Sequence, residues 1–86
     1  MKTLFIDTYC FDDSVLLRVS GELYGEVSGE NVTDACTHFL AMIPANTEII
    51  AFVDNSGYGA AVADILSKHL IVRAIKPVAL KTVKTA

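Results

Sequence analysis

No apolar run in this sequence approaches the roughly 18 residues that a membrane-spanning helix needs. Residues 49–53, a run that no other exceeds, have the length of a strand. The first residues also lack the long apolar segment of a secretion signal, so the expectation is a cytoplasmic protein with no membrane association. Cysteine is scarce. Cys10 and Cys36 are too few for a disulfide framework, and their apolar neighbours suggest reduced core thiols. No His and Cys spacing matches a zinc site. Nucleotide and hydrolase signatures are missing too. No lysine follows the glycines of Asn55-Ser56-Gly57-Tyr58-Gly59 as in a P-loop, and Ser56 lacks the glycine context of a nucleophile elbow. There is no internal repeat and no low-complexity segment.

What is present is a short, apolar chain. Eighty-six residues make a single domain over 1–86, and 52% of them are hydrophobic, with a mean hydropathy of +0.46. So small a domain can fill its core and still leave apolar surface over. The expectation is a homo-oligomer, a dimer by default, or a protein partner. Charge is uneven: all ten acids lie within residues 1–72, whereas residues 73–86 carry Arg73, Lys76, Lys81 and Lys84 and no acid. These four are the candidate nucleic-acid contacts, since a basic tail, from about residue 77, can meet phosphate. A plain solvated tail is the competing reading.

Hydrophobic periodicity predicts the order β-β-(β)-α-β-α-β, a small mixed α/β sheet of four or five strands with two helices. Residues 3–9 and 15–19 are strands joined at the Asp12-Asp13-Ser14 turn as a hairpin. Residues 23–27 alternate as an edge strand, or extend the second strand through a bend at Gly21. Ser28 and Asn31 are candidate caps for a helix whose apolar face is Val32, Cys36, Phe39, Leu40 and Ile43, stopped by Pro44. Residues 48–53 predict a central strand buried on both faces. A second helix starts at Ser56 or Gly57, with Ala60, Val62, Ala63, Leu66 and Leu70 as its apolar stripe. Residues 71–75 are a last strand, and residues 78–83 a short strand or tail. Two crossover helices imply antiparallel pairing first and parallel pairing afterwards.

Two carboxylates stand out by position. Asp7 lies in or at the end of the first strand, and Asp54 closes the central one. If those strands are neighbours, the acids meet, and paired carboxylates hold a divalent ion through hard oxygen ligands. Such an ion, Mg or Mn, activates water against phosphodiesters. The competing reading makes Asp54 a helix cap. Asp12 and Asp13 could add ligands, although a turn is where solvated aspartates belong.

The strand with Asp7, the turn and strand at Asp12-Asp13-Ser14-Val15, and the segment VDNSGYGAAVADIL together resemble the C-terminal nuclease domain of phage terminase large subunits. Pro77 and Lys81 match a proline and a lysine that often follow the next strand in that family. The resemblance implies an RNase H-like fold, with Asp7 and Asp54 as metal-binding, catalytic acids and Asp13 as a further candidate ligand. It also implies a phage- or mobile-element-type domain that binds nucleic acid or a partner protein, with residual metal-dependent nuclease activity. One departure matters: the family places another metal-binding acid near the end of the domain, and no acid follows Asp64 here. A partner subunit would complete the site, or the fold survives without the nuclease, so whether the chain is an enzyme stays open. A second resemblance competes. LLRVSGELYGE followed by a helix and DNSG is similar to STAS-type anti-sigma-factor antagonist domains, which implies a protein-interaction module switched by phosphorylation of Ser56. A third expectation is a structural oligomerising module without a catalytic site, whose apolar patch lies at a symmetric interface.

Overall fold

The computed structural model describes residues 1–75. The order is β1 (Lys2–Cys10), β2 (Val15–Gly21), β3 (Gly25–Gly29), α1 (Val32–Met42), β4 (Ile49–Asp54), α2 (Gly59–Leu66) and β5 (Ile71–Ile75). The five strands form one sheet in the spatial order β3-β2-β1-β4-β5. Pairing is antiparallel for β1 with β2 and β2 with β3, and parallel for β1 with β4 and β4 with β5. The chain is therefore a small α/β protein with a mixed sheet and two helices, as the periodicity predicts. The expected tail from about residue 77, and the strand or tail over 78–83, lie outside the described residues.

Local chemistry explains most boundaries. The Phe11 amide donates to the Ser14 carbonyl at 2.8 Å and closes the first hairpin. β2 ends at Gly21, whose φ of +104° is a left-handed value that L side chains avoid. A Cβ there would also lie 2.6 Å from the Thr3 carbonyl. That break makes β3 a separate edge strand and not a continuation of β2. Helix α1 starts at Asn31, whose side chain accepts a hydrogen bond from the Asp34 amide at 2.9 Å. Ser28, the other candidate cap, lies within β3. Extended backbone at Ile43, just before Pro44, ends the helix. Helix α2 begins at Gly59, later than the sequence suggests, because Gly57 takes a left-handed φ of +55° that delays helical winding. It ends at Leu66, so Leu70 packs on the core from beyond the helix.

Both helices cover the same face of the sheet. Leu4 and Ile6 of β1, Leu17 and Val19 of β2, and Ala51 and Val53 of β4 point inward. They pack with Cys36 and Phe39 of α1 and with Val62 and Leu66 of α2 in one core cluster. This core contains no buried polar or charged residue among those described. Burying each large apolar side chain contributes about 1.5–3 kcal/mol.

Among the described residues no helix lies on the opposite, outer face of the sheet, and that corrects the expectation for β4. Its burial alternates: Ile49, Ala51 and Val53 are buried, whereas Ile50, Phe52 and Asp54 are half-buried. Two helices suffice to cover one side only, so the apolar run 49–53 serves a core on one face and a partly wet surface on the other. The two halves of that surface differ. The antiparallel half presents Arg18 and Glu26, the parallel half Phe5, Phe52, Ile71 and Ile75.

The cysteines also divide. Cys36 is fully buried, but Cys10 is exposed, because it is the last paired residue of β1, at the edge of the core beside the hairpin turn. Cys10 is thus not a core thiol. Burial pushes the Cys36 thiol up to about 11. Its folded value then exceeds the ordinary thiol value of about 8.5. The resulting stability is complete below that ordinary value and is lost as pH rises toward 11. Iodoacetamide at pH 8 is expected to label Cys10 in the folded protein and Cys36 only after unfolding, as peptide mass spectrometry would read. Equal labelling rates would contradict the packing of α1. The unfolding free energy should also fall between about pH 9 and 11, through the preferential ionisation of unfolded Cys36.

Candidate functional site

The parallel pairing of β1 with β4 places the two singled-out acids just beyond its last paired residues. Ile6 pairs with Val53, so Asp7 and Asp54 stand one position further along each strand. Both follow an inward-facing residue and therefore lie on the outer face. Neighbouring strands run about 4.8 Å apart, which allows two carboxylates to share one cation. Asp7 is exposed and Asp54 is half-buried.

Asp54 is held by its own turn. Its Oδ1 accepts hydrogen bonds from the Ser56 amide at 2.9 Å and from the Ser56 hydroxyl at 2.7 Å. This is an Asx turn, not a helix cap: α2 begins at Gly59, and its N-cap position, Tyr58, makes no side-chain cap bond. The Asn55 amide donates to the Ile75 carbonyl at 2.8 Å, which anchors the turn to β5. Ser56 is exposed, as a phosphorylation site must be, but its hydroxyl is already engaged with Asp54. A phosphate placed there would set more negative charge against that carboxylate.

Next to the acids, register supplies partners that sequence reasoning missed. The first hairpin is centred on Asp12 and Asp13, so paired residues carry numbers that sum to 25, and Asp7 faces Arg18. That symmetry was readable from the turn alone. Arg18 donates from Nε to Glu26 Oε2 at 3.0 Å. Its guanidinium carbon sits 5.0 Å from the centre of the Tyr9 ring. The hydrogen bond to Glu26, then the charge interaction with Tyr9, raise the guanidinium above its ordinary value. On the other side, Phe5 and Phe52 stack with ring centres 5.5 Å apart, and Phe52 pairs with Arg73 of β5. The outer face thus sets a carboxylate pair above an aromatic pair, with an arginine on each flank.

Other candidates do not join this group. Asp13 lies in the hairpin turn, and the three-residue advance from Asp7 to Cys10 alone spans about 10 Å of strand. Among the described residues, no three His, Cys, Asp or Glu side chains form a metal-holding group. Arg73 is exposed on the outer face. Lys76, Lys81 and Lys84 lie outside the described residues.

One glycine sets the height of the Asp54 turn. A Cβ on Gly59 would lie 1.8 Å from the Asp54 carbonyl oxygen, an impossible contact. Only glycine lets α2 start so close to the end of β4. Gly59→Ala is expected to cost about 1–3 kcal/mol, the usual range for overpacking. A urea melt checks this, and an unchanged midpoint would show that the helix start is not tight. No protein-family model, curated protein or solved structure matches the chain.

Proposed function

We propose that this chain is a small RNase H-like domain that binds nucleic acid through a divalent cation, Mg²⁺ or Mn²⁺, held between Asp7 and Asp54, with residual phosphodiesterase activity. The observation that carries this reading is that the two acids each directly follow the last paired residues, Ile6 and Val53, of neighbouring parallel strands. The mixed pairing supports it as well, antiparallel through the first hairpin and parallel across β1, β4 and β5. The donor set suits a hard cation, because both side chains offer carboxylate oxygens. Ser56 engages Oδ1 of Asp54, which leaves the other oxygen of that carboxylate free of Ser56 and able to serve a cation. When bound, such an ion neutralises phosphate charge and lowers the pKa of its water. Asp7 and Asp54 would hold it, and Arg73, on the same face, would meet a neighbouring phosphate.

Two protein carboxylates make a weak site. Its Kd for Mn²⁺ is expected on the order of 0.1–1 mM, as in the weakest calcium modules. Paramagnetic titration should show one site in the wild type, with at least about tenfold weaker binding in Asp7→Asn and in Asp54→Asn. Any cleavage of single- or double-stranded DNA should need the metal and vanish in both variants. Equal Mn²⁺ binding by wild type and both variants would sink the reading.

A second reading, an oligomerising module, is favoured by the exposed Phe5, Ile71 and Ile75 on the outer face. Parallel strands are normally covered on both sides, and here no described element covers the outer one. On this reading a second copy covers the parallel half of the face. Sedimentation should then show a dimer that Phe5→Lys dissociates. A monomer at every concentration would remove this alternative and leave the metal reading standing.

A further inference from the structure

A recess with apolar walls has a lining that includes neither Asp7 nor Asp54. It is an open cleft where the carboxyl end of β1 meets the first turns of α1 and α2, with a volume of about 480 Å³. That size falls within the range of small-ligand sites, and the carboxyl ends of strands are where α/β folds collect them. Val15 and Ala61 form part of its apolar wall. Phe11, from the hairpin turn, and Tyr58, at the start of α2, also line it. These two rings are 61% and 60% exposed, well above what large aromatic side chains need for packing.

The polar part of the wall decides the charge of an occupant. Asp12 and Glu30 contribute carboxylates, and no lysine or arginine is among the described lining residues. The one ion pair among the described residues, Arg18 with Glu26, uses neither acid. Two helix starts oppose this negative field, but each supplies at most about half a positive charge. At α1 that half charge is already met by the Asn31 side chain and by Asp34 in the first turn. Two full negative charges therefore outweigh it. Aromatic faces add attraction of the same sign, since their quadrupole favours a cation.

We infer that this cleft binds an alkylammonium group, its chain against the apolar wall and its charge between Phe11, Tyr58 and the carboxylates of Asp12 and Glu30. The group comes from a free organic amine or from a lysine side chain of a partner protein. The inference is independent of the metal reading, because the cleft contains neither Asp7 nor Asp54.

The test is a heteronuclear NMR titration of the full chain with butylammonium, with 1-butanol as its neutral counterpart, and with a short acetylated and amidated peptide holding one lysine. Butylammonium is expected to shift Phe11, Tyr58 and Ala61 saturably, with a Kd on the order of 1–10 mM. Butanol should bind at least about tenfold more weakly, and added salt should weaken the cation alone. Tyr58→Ala and Glu30→Gln should each weaken butylammonium about tenfold while the urea midpoint stays put, since Tyr58 makes no side-chain cap bond. Peptide binding tighter than butylammonium identifies a partner's lysine, and equal binding identifies a free amine; both support the site. Equal affinity for butanol, no saturable shift at these residues, or unchanged binding in folded Tyr58→Ala and Glu30→Gln would overturn it.

Discussion

Everything in this fold hangs on the pairing of β1 with β4. The two strands lie far apart in sequence, yet Ile6 faces Val53 across a parallel ladder. This ladder joins an antiparallel half, built from the first hairpin and β3, to a parallel half built from β4, α2 and β5. It also sets the core, because Leu4, Ile6, Ala51 and Val53 form its inward row. A shift of one residue in β4 would turn Val53 outward and Asp54 into an apolar interior. Burying an unpaired carboxylate there would cost several kcal/mol, so the register has one acceptable setting.

The same ladder gives the outer face its chemistry. Because successive side chains alternate, a strand that sends Ile6 and Val53 inward must send Asp7 and Asp54 outward, side by side. The neighbours follow the same rule: Arg18 beside Asp7, and the Phe5–Phe52 stack one step back along both strands. Helix α2 lies on the other side of the sheet, but Gly59 and the Asx turn at Ser56 fix where β4 ends and so where the Asp54 carboxylate stands. Backbone constraints on the helix-covered side thus position polar groups on the outer one.

Much of this was legible in the sequence, for identifiable reasons. The strand and helix order, the hairpin at Asp12-Asp13 and the Asn31 cap follow from alternation, turn residues and capping chemistry, all local signals. The meeting of Asp7 with Asp54 was legible only as a condition, since strand neighbours depend on long-range packing. Other features were not legible. The apolar run 49–53 reads the same whether one or both faces are covered, and only the count of helices on each side decides. Cys10 resembles Cys36 in its apolar neighbours, but it stands at the last residue of β1, beside the hairpin turn and past the covered rows. The cleft at Phe11 and Tyr58 joins a hairpin turn to two helix starts, and no spacing within the sequence brings these together.

The long separation of β1 and β4 has a kinetic side. The β1–β2 hairpin closes over a short turn and can form within microseconds. β1 then keeps one unpaired edge until β4, more than forty residues later, arrives beside it. During that interval Leu4 and Ile6 lie next to open hydrogen-bonding groups, the template on which strands of different molecules pair. Refolding yield should therefore fall as protein concentration rises, through a transient edge that the finished sheet hides in its middle.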